Sequence, residues 1–400
     1  MRAIRFAQAP ILLSMLLLSW PASAAPSLKI CSKGDKVFAA KKCAKGAKAV
    51  TLSGLAGEDG TVAVYGDGSA GPATFASGFQ SFLTDPPAGN NLQFTTFTVP
   101  AATTLSIPSG TIIRCTDSAT IEGYLLVDAP SNGGRASGGA AASAVVGGAT
   151  QSPGAGISLR PATVGEAAHP NAGSSFLVGG FGGEGLLSGQ SGDAGRFIAS
   201  LLRAPHLSGG GGAAPSGSGS LASSEGGRGG GSVFIIAKKK ITISGTISAE
   251  GYDPSSFIIH GAGGGGGGVV VLAAGEAIEF SGSGSVRANG SDGDQSGSST
   301  GPGGGGGGGL IQYISPSVPT IDSSNSQVAG GAAGASIASG ITATALRQGG
   351  GGGGGSAGSG GAGGGVPEGS GTKTAYSASQ GSDGIAAAIV ADPVTLLMGP

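Results

Sequence analysis

Aromatic side chains make up only 5% of this 400-residue sequence and charged ones only 11%, with one tryptophan, three cysteines and three histidines. So few aromatics leave no nameable sugar-stacking site. The histidines, His169, His206 and His260, form no zinc-type pair. After residue 24 no apolar run is long enough to cross a bilayer, which predicts no transmembrane segment once that stretch is removed. The formal net charge of −1 argues against general nucleic-acid binding. Glycine at every third position, which collagen requires, is missing despite 86 glycines.

Residues 1–24 read as an export signal: Arg2 and Arg5 make a basic start, Ile11 to Leu18 an apolar core, and Ala22-Ser23-Ala24 a small-residue cleavage site. The chain is therefore expected outside the cell or on its surface, with the periplasm as the other compartment such a signal allows. That location is oxidising, so Cys31 and Cys43, with eleven residues between them, are predicted to pair and close a small hairpin. Cys115, in the apolar run TIIRC, is expected to be a buried free thiol. Residues 29–48 hold seven lysines and one aspartate. A solvated hairpin is the simpler reading of that charge, and tethering to an anionic envelope polymer the functional one.

What the sequence has in abundance is recurrence. GGGSVFIIAKKKITISGTISAEG (229–251) returns as GGGVVVLAAGEAIEFSGSGSVRANG (266–290), and a third unit follows Gly309. Relative to Gly231, Gly268 and Gly309, the same offsets carry Val233, Val270 and Ile311, then Ile235, Leu272 and Tyr313, then Ile243, Phe280 and Ile321. A period of about 40 residues with two-residue internal alternation predicts a β-solenoid. Each unit is expected to contribute three short strands, in the first unit Ser232 to Ala237, Ile241 to Ser244 and Thr246 to Ala249. An earlier coil is predicted at Gly110 to Gly134, with Ile121 and Gly123 matching Ile243 and Gly245, and coils are expected from Phe94 or from TVAVYG at Thr61.

The tract GGGGGG (Gly263 to Gly268), the strand pair around ISG and the closing AEG or ANG resemble those of glycine-rich secreted bacterial β-helix proteins, which are surface or adhesin-like. The segment KICSKGDKVFAAKKCAKGAKAVTLSGLAG resembles a two-cysteine hairpin module. The resemblance extends over most of the chain beyond residue 24. It implies an all-β fold, a right-handed parallel β-helix with glycine-rich excursions behind a small disulfide hairpin. It implies no reaction and no cofactor.

Runs of four or more glycines lie at 209–212, 263–268, 303–309 and 349–355. Two readings stand: floppy excursions at one corner of each coil, or extended helices of three residues per turn packed side by side. The first strands VFII, VVVL and LIQYI are apolar on both faces, which calls for cover on both, and neighbouring tracts could supply it. Within residues 135–228, SGDAGRFIASLLRAPHLSG has the pattern of a short helix capped by Asp193 and ended by Pro205.

Catalysis finds no foothold. The acids of the repeat are Glu250, Asp253, Glu276, Glu279, Asp292, Asp294 and Asp322, and their best cluster, NGSDGDQSG, reads as a solvated turn. GGSAG at Gly354 fits a serine-nucleophile pattern only because glycine is everywhere. No catalytic, cofactor or metal residue is assigned. The expected layout is a signal (1–24), a basic two-cysteine hairpin module (25–60), N-terminal solenoid coils (61–134), a Gly/Ala/Ser-rich insertion with one helix (135–228) and a glycine-rich repeat solenoid (229–400). The expected role is structural or adhesive, with extracellular or envelope polysaccharide as the partner. Polysaccharide binding or degradation is the alternative, and ice binding, which would want threonine ladders, the second.

Overall fold

The computed structural model describes residues 29–33, 36–40, 48–50, 64–129, 209–212, 224–256, 261–297, 300–336, 349–365 and 377–398. The expected export signal (1–24), Cys43, the helix expected at 193–205 and all three histidines lie outside the described residues. The chain divides into two compact units, Met1–Ala56 and Gly57–Pro400.

The first unit holds a three-stranded antiparallel sheet in the order β2-β1-β3, from β1 (Lys29–Lys33), β2 (Lys36–Ala40) and β3 (Lys48–Val50). Cys31 stands in the central strand, opposite Phe38 on one side and Ala49 on the other. β1 thus pairs antiparallel with β2 on one side and with β3 on the other.

The second unit repeats one sequence of events. A short strand enters sheet I, the next enters sheet II, the third enters sheet III, and the chain begins again one layer on. The first round is β4 (Ala73–Thr74), β5 (Gly78–Ser81) and β6 (Gln93–Phe94). The second is β7 (Phe97–Val99), β8 (Thr103–Ile107) and β9 (Thr111–Cys115). The third is β10 (Ala119–Ile121), β11 (Tyr124–Val127) and, after the long intervening segment and the two-residue β12 (Ser224–Glu225), β13 (Ser232–Ala237). The fourth is β14 (Lys240–Ile243), β15 (Thr246–Ser248) and β17 (Val269–Ala274), with β16 (Ser255–Ser256) paired back to β12. The fifth is β18 (Ala277–Phe280), β19 (Ser285–Arg287) and β20 (Leu310–Ser315). The last has a single bridge at Ser317, then β21 (Ser326–Gln327) and β22 (Ile385–Val390). All neighbours within the three sheets are parallel, the topology of a parallel β-solenoid. The only α-helix described over more than two residues is α1 (Pro393–Met398).

Register places like on like. Ile121 pairs with Ile243 and Ile243 with Phe280 in sheet I, while Ile235 pairs with Leu272 and Leu272 with Tyr313 in sheet III. These inward residues form one continuous core, and side chains such as Ile121, Ile235 and Leu272 are fully buried. Burying each stabilises by roughly 1.5–3 kcal/mol relative to exposure, and stacking repeats that gain along the axis. At the first coil the core is closed by rings: Phe75 lies 5.7 Å from Phe82 and 5.4 Å from Phe97, and Phe94 lies 5.6 Å from Phe97. Cys115 is a fully buried free thiol, pushed up to about 12 first by burial and then by Asp117.

Two expectations need correction. The described part of TVAVYG, Val64 to Gly66, is not a strand. Val64 and Tyr65 are helical, and they pack on the outward face of sheet III with Phe234, Ile236, Val271 and Ile314. That face is packed by them, by Val394 and Leu396 of α1 and by Ala357, which lies between the tracts 349–355 and 358–364. Ile321 is not the partner of Phe280: the bridge Ala277–Ser317 and the pair Val286–Ser326 set a 40-residue offset, whereas Leu272–Tyr313 sets 41. One residue is absorbed after β20, and no strand forms over 318–322.

Candidate binding face on a bundle of glycine tracts

Each of the later coils leaves the solenoid after its sheet II strand and returns just before its sheet III strand. The outgoing legs are residues 249–253, 288–296 and 328–335, following β15, β19 and β21. The returning legs are 227–231, 263–268, 303–309 and 379–384, which run into β13, β17, β20 and β22. Further tracts at 209–212, 349–355 and 358–364 lie on the opposite side of the returning legs.

These segments are not helical or β, yet their amides are systematically bonded. Gly264 and Gly267 donate to Gly304 and Gly307, which donate in turn to Gly350 and Gly353. Between them, Gly265 donates to Tyr252 and Gly266 to Gly210. Amides three apart therefore point at the same neighbour, the geometry of an extended helix with three residues per turn. The tract 303–309 bonds to six neighbours: 263–268, 288–296, 328–335, 349–355, 358–364 and 379–384. The tract 263–268 is likewise surrounded. The result is a layered bundle, with the outgoing legs forming one face and the returning legs the middle.

Only glycine fits the middle. A Cβ on Gly264 would strike the Ser291 carbonyl, one on Gly304 the Gly361 carbonyl and one on Gly306 the Gly265 carbonyl. None of the glycines in 263–268 or 303–309 has a left-handed φ, so close approach, not unusual backbone conformation, imposes the residue type. Of the two readings of the tracts, the packed one holds. Ser356, in the GGSAG segment, is 1% exposed, and its hydroxyl donates to the Gly267 carbonyl. It is a packing residue of the bundle.

The outgoing legs carry side chains outward at every third position. These are Glu250 and Asp253, then Asn289, Asp292 and Gln295, then Ala329, Ala332 and Ala335. A rise of about 3.1 Å per residue spaces them by roughly 9 Å along a leg, and the coil repeat spaces legs by roughly 4.8 Å. NGSDGDQSG is therefore a tract of this face, not the solvated turn expected from sequence. Its polar groups staple one leg to the next. Asn289 Nδ2 donates to Glu250 Oε1 at 2.7 Å, and Asn289 Oδ1 accepts from the Ala329 amide at 2.8 Å. Asp292 Oδ1 accepts from the Ala332 amide at 2.7 Å. Asp253 is raised above the ordinary carboxylate range, first by burial and then by the charges of Asp292 and Glu250. The face is rich in acceptors and poor in cations. Among the described residues no group of three or more His, Cys, Asp or Glu could hold a metal ion.

Elsewhere the acids are tied to coil contacts. Glu279 pairs with Lys240 at 2.9 Å and Asp117 with Lys239 at 3.0 Å, so the KKK turn bridges adjacent coils at the surface. Asp322 accepts from the amides of Ser324 and Asn325 in its own turn. The three-residue spacing was present in the sequence as Gly290 with Gly293 and Gly331 with Gly334, but each run is too short to stand out among so many glycines.

No family model, no curated protein and no solved structure matches this chain. No helix among the described residues is long and apolar enough to cross a membrane.

Proposed function

We propose that this chain is an exported structural or adhesive protein of the glycine-rich bacterial β-helix type. In this reading the solenoid is right-handed, and a Cys31–Cys43 disulfide closes the N-terminal hairpin. The solenoid and the glycine bundle together form a stiff support, and the outgoing legs present a flat, regular face to extracellular or envelope polysaccharide. The observation that carries the reading is that face: side chains at fixed three-residue intervals, on legs held at coil spacing, with their polar groups stapled leg to leg. Acceptor-rich side chains suit a hydroxyl-bearing polymer, and a pre-ordered face lowers the entropic cost of binding one. The chain performs no reaction. Glycan-array and cell-binding measurements on the purified protein test this. Selective glycan or envelope binding is expected. Binding to neither, or release of unsaturated sugars, would overturn it.

One observation favours the ice-binding reading as a second. Thr74, Thr98, Thr120 and Thr242 align across four successive strands of sheet I, a column longer than the repeat suggested. Thermal hysteresis that falls on Thr120→Val and Thr242→Lys substitution would place function on sheet I. Its absence in the intact protein would remove this reading.

A further inference from the structure

The outward face of sheet III changes chemistry along the solenoid. Across β13, β17 and β20 one outward row is Ile236, Ala273 and Ile314, all buried. In the two coils before them, the same row is Gln93 and Arg114. There the covering layer gives way to a groove of about 820 Å³, walled by residues 89–93 of one coil and 108–112 of the next, with Arg114 beside them. None of the lining residues is acidic, and Arg114 is the only charged one.

Arg114 has no carboxylate partner among the described residues, and its Nε is buried without a hydrogen bond. Burial holds its guanidinium below the ordinary arginine range. Asp67, whose amide donates to Gln93 Oε1 at 3.3 Å, turns its own carboxylate to the Ser69 amide at 2.9 Å and does not answer the cation. With its Oε1 so engaged, Gln93 keeps its amide N–H groups for a ligand. Asn90 stands at the rim, exposed, with φ 53°. The Thr111 hydroxyl donates to the Pro108 carbonyl and keeps lone pairs to accept, the Ser109 hydroxyl accepts from the Ser232 amide and keeps its O–H to donate, and Ile112 and Pro108 add apolar surface. A guanidinium with no ion pair among the described residues, in a polar groove lined by no acid, is matched by a carboxylate, and the amides and hydroxyls around it are matched by a sugar's hydroxyl groups.

We propose that this groove binds a carboxylated sugar unit of an acidic glycan, with Arg114 taking the carboxylate and Gln93 and Asn90 its neighbouring hydroxyls. The choice of a glycan over other carboxylates rests on the adhesive reading above; the anion site itself does not.

The test is calorimetric titration of the purified protein with oligogalacturonate, its methyl ester and a peptide bearing a free C-terminal carboxylate. Binding of oligogalacturonate is expected, weakened about tenfold or more by methyl esterification and by Arg114→Gln. Asn90→Asp, which keeps a residue tolerant of this φ and adds a negative charge at the rim, is expected to weaken binding as well. Circular dichroism of both variants reports on the fold. Equal affinity for acid and ester, or an unchanged affinity in folded Arg114→Gln, overturns the anion site. Equal or better binding of the peptide overturns the glycan. Envelope retention measured alongside separates the two proposals: retention that persists in Arg114→Gln while wild-type protein ignores oligogalacturonate rejects the groove and leaves adhesion standing, whereas no retention of wild type rejects adhesion whatever the groove binds.

Discussion

Replacing Gly267 by alanine is the sharpest perturbation of the glycine bundle. Gly267 donates to the Gly307 carbonyl at 2.8 Å and accepts from the Ser356 amide at 2.9 Å. An added Cβ would meet the Ala288 carbonyl on one side and the Gly309 nitrogen on the other. Those two groups bond to each other at 2.7 Å, so the methyl would wedge into a hydrogen bond at the point where the tract enters β20. Leaving that buried pair unmade costs about 1–3 kcal/mol, and forcing extra volume into a packed site costs about as much again. Alanine's lower entropy in the unfolded chain returns only about 0.4–1 kcal/mol. The expected net loss is roughly 2–5 kcal/mol. Gly71 is the control. A Cβ there meets nothing within 4 Å, and only its φ of 71° opposes alanine, at about 1–2 kcal/mol. Urea unfolding followed by circular dichroism compares the two. If Gly267→Ala costs no more than Gly71→Ala, the tracts are not packed backbone to backbone and the reasoning fails.

Leu272, fully buried between Ile235 and Tyr313, should lose about 2–5 kcal/mol on substitution by alanine, read by the same unfolding curves. Cys115, buried and with its thiol pushed up to about 12, should resist alkylation at pH 8 until denaturant is added; rapid native-state labelling would contradict its place in the core. Asp253 has a folded pKa above its ordinary 3.8, so its protonated form is favoured by folding, and that stabilisation is lost as pH rises through the folded pKa. Asp253→Asn should therefore be more stable than wild type at pH 7, with the difference closing below about pH 3.8; a less stable variant at pH 7 would show that Asp292 and Glu250 do not face it.

The solenoid could be read from residues because its rule is local and repeated. Ile243 and Phe280, Ile235 and Leu272, and Ile121 and Ile243 recur at fixed offsets, and parallel stacking puts equal offsets side by side. Ile321 misled because one residue is taken up outside the strands, where no side-chain period reports it. Val64 and Tyr65 alternate like a strand yet act as a helical cover, since an apolar pair fits either role. The candidate face was harder to see. Its residues, Asp253, Asn289, Asp292 and Gln295, owe their arrangement to glycines on other tracts, such as Gly264 and Gly306, that are distant in sequence and carry no side-chain signal. Arg114 and Gln93 likewise look like ordinary outward strand residues until the register shows that their successors are Ile236 and Ala273.

Amide hydrogen exchange through residues 263–268 and 303–309 tests the central idea most directly. If these glycines form the interior of a hydrogen-bonded bundle, their amides should be protected to a degree comparable with the neighbouring strands β13, β17 and β20. Exchange at the rate of an unstructured glycine chain, with those strands still protected, would mean that the excursions are loose and that no ordered face exists for a ligand to meet.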